Sequence, residues 1–159
     1  LHDALPILGE HHVCAQPSGV CKAMLSPQCQ VVEGDYTAEG AILLGVVVPT
    51  GGENAAQGQS ITNSVRLAQA EFQQIANGLP PAPGSSARRP LALIGCNDNS
   101  DGDTAVAASA HLVSLGVPAI IGAAFSGLTI RMATEVTIPG QTLLISPSST
   151  TATNMPSGL

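Results

Sequence analysis

Aromatic residues are almost missing from this chain: two Phe, one Tyr and no Trp in 159 residues. Any core must be built from Ala, Val, Ile and Leu. Cations are nearly as scarce, five Lys and Arg against eleven Asp and Glu, for a net charge of -6. That balance excludes nucleic acid as a partner, because phosphate contacts need clustered Lys and Arg. The one basic pair, Arg88-Arg89, lies in a Pro-rich stretch and reads as solvated. No apolar run reaches the roughly 18 residues of a membrane-spanning helix. The apolar run over residues 41–48 has the length of a buried strand. With 44% hydrophobic and 10% charged residues, the composition is that of a globular domain.

The familiar chemical motifs are missing as well. Thr50-Gly51-Gly52 is followed by neither the Gly-Lys-Ser/Thr of a phosphate loop nor a G-x-G-x-x-G. Asp98, Asp101 and Asp103 fail the calcium-loop pattern, since Ser100 and Ser109 stand where acidic groups are needed. These aspartates read as helix caps. His111 is a lone histidine inside a helical stretch and reads as packed or exposed. Ser126 lacks the leading glycine of a hydrolase elbow. A catalytic residue, a metal site and a cofactor are therefore not expected.

A signal-peptide pattern is not visible either. Residues 1–7, starting Leu1-His2-Asp3, read as translated sequencing adapter and are set aside as an artefact. Residues 8–40 read as a cysteine-containing head or linker with few strand-like runs. Cys14, Cys21 and Cys29 crowd into it, while Cys96 stands far off in a strand-like run. Crowded cysteines in apolar-poor sequence suggest disulfides and an oxidising compartment. The expectation is that the three oxidise, the odd one with a cysteine upstream, and that Cys96 does not pair with them. A zinc site using His11, His12 and Cys14 is the alternative, but a Cys-x-x-Cys pair is absent.

From residue 41 onward, strand and helix signals alternate. Strands are predicted over residues 41–48, 91–96, 117–121 and 142–145, all parallel, with the first central. A helix from Asn54, with Gln57 at capping-box spacing, presents Ile61, Val65, Ala68, Phe72 and Ile75 as one stripe. Gly78 and Pro80 end it. A second helix over residues 104–115 presents Val106, Ala110 and Val113, and a third covers residues 128–136. Continuous apolar strands and helical crossovers make an α/β open parallel sheet with helices on both faces and flavodoxin-like winding. Ligands bind such sheets outside the carboxyl ends of the strands. There the polar loops gather, with Ser126-Gly127 at a helix start and Ser146 to Thr150 beyond the fourth strand. Hydroxyls and free backbone N–H groups at that place suit an anion. A helix cap and a simple turn would use the same residues.

Ile120-Ile-Gly-Ala-Ala-Phe-Ser-Gly127 followed by Leu143-Leu-Ile-Ser-Pro-Ser-Ser-Thr150 resembles the type I periplasmic binding proteins of the branched-chain amino acid family. The order of elements over residues 41–155 is similar too. The resemblance implies that residues 41–159 are the incomplete first lobe of a two-lobe, hinge-closing receptor, not an enzyme. It implies an extracytoplasmic or periplasmic location, free or lipoprotein-anchored, and an ATP-driven (ABC) importer whose membrane subunits are partners. The small-molecule ligand would be an amino acid or a similar polar molecule. Its carboxylate and amine would meet Ser126, Gly127, Ser148, Ser149 and Thr150. A ligand-sensing domain of a signalling receptor keeps the same fold. A flavodoxin-like enzyme would need a catalytic group in these loops, where only hydroxyls and capping aspartates stand.

Overall fold

A computed structural model describes residues 11–14, 20–38 and 40–151. The adapter-like segment of residues 1–7 lies outside the described residues. β4 (Ile42–Val48) is the centre of the fold. Its side chains alternate between two apolar layers. Val46 and Val48 pack with Leu93 on one face, and Val47 packs with Ile94, Leu112 and Ile120 on the other. Burial on both faces explains why the run is continuously apolar rather than alternating.

β5 (Leu91–Asn97) and β6 (Ala119–Gly122) flank β4, and β7 (Leu143–Ile145) lies beyond β6. All these pairings are parallel, as the alternation predicts. Connections run through α1 (Ala55–Ala76), α2 (Gly102–Ser114) and α3 (Ser126–Met132). α3 continues as a π-helical turn over Ala133–Thr137.

Two helix faces differ from the expected ones. In α1, Ile61 and Val65 meet the sheet, but Phe72 is 47% and Ile75 85% exposed. At 22 residues α1 extends about 33 Å, against about 23 Å for the seven-residue strands, so its last turns overrun the sheet. In α2 the buried face is Ala105, Ala108, Ser109 and Leu112 rather than Val106, Ala110 and Val113. Small residues let α2 lie close to the sheet, and the Ser109 hydroxyl is satisfied by the Ala105 carbonyl at 2.7 Å. The caps divide similarly. Asp101 caps α2 by accepting from the Thr104 amide at 2.8 Å. Asn54 precedes α1 without capping it, and its amide group donates to Ser100 instead.

The largest departure is in the head. β1 (His12–Cys14) and β2 (Cys21–Ala23) form an antiparallel ribbon, closed by a Cys14–Cys21 disulfide. β3 (Cys29–Glu33) then joins the main sheet as an antiparallel edge strand beside β5, giving the order β3-β5-β4-β6-β7. Met24 is fully buried in the main core. The His111 ring contacts the Met24 carbonyl at 2.9 Å, and Lys22 donates to the Ser114 carbonyl. Cys96 does pair with a head cysteine, and no upstream cysteine is needed for Cys29: the two form a disulfide. They sit opposite each other in the β3–β5 register and both point into the core. A partner 67 residues away in sequence leaves no local spacing signal.

Asp98 follows β5 and is fully buried. Its Oδ1 accepts from the Ser100 amide at 2.8 Å, while Oδ2 has no hydrogen-bond partner among the described residues. Burial raises this carboxyl above the usual aspartate range, against the smaller opposing effect of the Ser100 bond.

Two predictions follow from these contacts. Peptide mapping without reduction should yield Cys14–Cys21 and Cys29–Cys96 linkages, and no Cys14–Cys29 or Cys21–Cys29 peptide. Replacing Cys29 and Cys96 together by Ala should lower unfolding free energy by about 4 kcal/mol, the loop-entropy scale for a closure of this length. The second concerns Asp98→Asn. In the unfolded chain Asp98 ionises near pH 4; in the fold it keeps its proton to higher pH. Its ionisation therefore costs stability that is absent below about pH 4 and grows as pH rises through the folded value. Asp98→Asn should raise Tm at pH 7, and the gain should vanish as pH falls below about 4. A pH-independent gain, or a loss at pH 7, would contradict this.

Candidate functional site

β6 and β7 are parallel neighbours with Ile121 opposite Ile145, so the loops leaving their carboxyl ends run side by side. Gly122 opens the first loop with φ +142°, and a Cβ there would lie 2.1 Å from the Val47 carbonyl oxygen. Only glycine lets the end of β6 lie this close beside β4, where Gly122 pairs with Val47. The second loop begins at Ser146, and hydroxyls join it to the first. Ser146 donates to the Ala123 carbonyl at 2.8 Å and Ser148 to the Ala124 carbonyl at 2.7 Å. Behind them, the Ser149 hydroxyl lies 2.6 Å from both Ser146 Oγ and Thr129 Oγ1.

Ser126 begins α3, and its hydroxyl accepts from the Thr150 amide at 3.2 Å. It is not the cap: Phe125 holds that position without a side-chain bond. The first amide bond of the helix runs from Thr129 to Phe125, so the amides of Ser126, Gly127 and Leu128 precede the helical ladder. Gly127 is exposed, with open space where a Cβ would stand. Among the described residues, the helix start is thus open at Gly127.

The five residues singled out in the sequence therefore gather at one place but do different things. Ser126 and Thr150 meet across the two loops. Gly127 leaves room above the helix start. Ser148 fixes one loop to the other, and Ser149 turns inward to Thr129. Thr129 and Ser146 complete this network and went unmarked in the sequence, although Thr129 stands three residues after Ser126 and Ser146 opens the Ser-Pro turn. Among the described residues, the partners of these hydroxyls are other hydroxyls and backbone groups. What the cluster offers is neutral hydrogen bonding at a helix start.

A second tie lies at the β4 and β5 ends. Asn97 Oδ1 accepts from the Thr50 and Asn99 amides, each at 2.9 Å. The loop after β4 is thereby fixed to the loop after β5. Above it α1 approaches closely: a Cβ on Gly58 would lie 1.7 Å from the Pro49 carbonyl oxygen.

No family model and no curated protein sequence matches the chain. Solved structures do match. The substrate-binding protein LivJ of a branched-chain amino acid transporter from Streptococcus pneumoniae, in complex with isoleucine, is 26% identical at a TM-score of 0.60, over 70% of this chain and 30% of that one. A transporter substrate-binding protein from Desulfitobacterium hafniense, in complex with Leu, gives 22% identity and a TM-score of 0.56 over 70% and 30%. A solute-binding protein from Rhodopseudomonas palustris, in complex with 3,4-dihydroxybenzoic acid, gives 18% and 0.59 over 72% and 29%. The chain spans about 30% of the length of such proteins. Its mostly parallel five-stranded sheet with flanking helices has the type I periplasmic binding protein fold seen in these branched-chain amino acid transporter substrate-binding proteins, over about 30% of their length.

Proposed function

We propose that this chain is part of the first lobe of an extracytoplasmic solute-binding protein that captures a small carboxylate, foremost an amino acid, for an ABC importer. The carrying observation is the meeting of Ser126 and Thr150 across the β6 and β7 loops, beside a helix start left open at Gly127 among the described residues. Amides ahead of a helical ladder favour an anion without any lysine. Ser126 and Thr150 supply donors for the carboxylate, and Gly127 gives it room. Ser148 and Ser149 hold the loops in place. The amine would sit nearer the second lobe, which closes over the ligand. The ligands named in the similar structures support the carboxylate: isoleucine, Leu and 3,4-dihydroxybenzoic acid all carry one. Two disulfides among the described residues support an oxidising compartment. The membrane subunits of the importer are the partners this reading requires.

The test is calorimetric titration of the protein carrying both lobes with a panel of amino acids and aromatic acids. A hydrogen bond to a charged group contributes about 1.5–3 kcal/mol, so Ser126→Ala and Thr150→Ala should each weaken binding by roughly ten-fold or more. Both variants should keep the parent Tm within a few degrees, because both positions lie at the rim. Parent-like affinity in both would refute the assignment.

A further inference from the structure

On the α1 side of the sheet, β4 and β5 present Val46, Val48 and Leu93 as an apolar floor. β5 then places Gly95 where the next side chain on that face would stand. A Cβ there would meet little besides Val31, 3.3 Å away on the edge strand β3. Over this glycine lies a half-open cavity of about 340 Å³ under α1, bounded by the floor, by Val31, by Gln59, Thr62 and Arg66 of the helix, and toward the strand ends by Gln28, Thr50 and Asn97. That volume lies within the range of small-molecule sites. β3 forms its outer wall, so the cavity exists only because the head supplies this strand. It shares no residue with the Ser126–Thr150 cluster and reaches the carboxyl edge only at the Thr50–Asn97 tie.

The chemistry of the walls restricts the occupant. Arg66, the one cation among the described lining residues, is held by Glu33 through two hydrogen bonds. Its charge is already paired, so the described lining holds no free charge to select a charged ligand. Thr62 donates its hydroxyl proton to the Gly58 carbonyl at 2.9 Å, so toward the cavity it serves as an acceptor. The volume equals about ten water-sized groups. We infer that this cavity is a second ligand site, taking a neutral molecule with a flat apolar body and an N–H donor, such as a small aromatic amide. The body lies over Gly95 on the valine and leucine floor, and the donor reaches Thr62. A glycine inside a strand often marks such a close approach.

The test is an NMR titration of the isotope-labelled full chain with benzamide at about millimolar concentration, the range expected for so small a ligand. Benzamide should shift the amide signals of Gly95, Val31 and Thr62, and leave those of Ser126 and Thr150 in place. Gly95→Val puts a branched side chain on the floor beside Val31, where the ligand body would lie, and should weaken binding at least ten-fold. Thr62→Val keeps the shape and removes the acceptor, and should weaken it by about five-fold, one neutral hydrogen bond. If Gly95→Val loses its native spectrum, Thr62→Val alone decides. Absence of the Gly95 and Thr62 shifts in the parent, or parent-like binding in a folded variant, overturns the inference. Shifts centred on Ser126 and Thr150 would also overturn it, by placing benzamide in the other site.

Discussion

The double-sided burial of β4 is the constraint on which the rest depends. Its three valines cannot face water on either side, so both faces must be covered, and right-handed crossovers place α1 on one and α2 with α3 on the other. The parallel pairing with β5 and β6 then brings the three carboxyl ends to one edge. Everything proposed for ligand capture is a consequence of that edge. Gly58 and Gly122 are the local price of the arrangement, one letting α1 approach Pro49 and the other letting the end of β6 lie against Val47. A side chain at either would push the loops apart.

The head adds a second constraint, covalent rather than hydrophobic. The Cys29–Cys96 disulfide lies one residue before Asn97, and Asn97 both donates its amide to the Gln28 carbonyl and accepts from Thr50. Head, second strand and first binding-edge loop are therefore one mechanical unit. The edge strand β3 also caps what would otherwise be an open flank of β5. The cavity over Gly95 arises from the same addition.

The sequence was informative where one physical signal dominates. Runs such as residues 41–48 and 91–96 are apolar throughout because both faces are buried, and the parallel order followed. Asp101 was legible as a cap because capping is local. Ser126 and Thr150 were legible through resemblance and their position at strand ends, whereas their mutual bond, between residues 24 apart, was not. Other failures share that cause. β3 is short, is half exposed at Val31 and pairs with a distant partner, so neither periodicity nor propensity marks it. The faces of α1 and α2 were misjudged because apolar spacing alone does not tell where a helix outruns its sheet, or where alanines make the closest approach.

The most direct test of the account is a crystal structure of the protein with both lobes, grown with the amino acid that calorimetry identifies. The account predicts the ligand carboxylate at the start of α3, within hydrogen-bond distance of the Ser126 and Thr150 hydroxyls, with β4, β5, β6 and β7 parallel beneath it. A carboxylate bound elsewhere, with Ser126 and Thr150 still bonded only to each other, would contradict it.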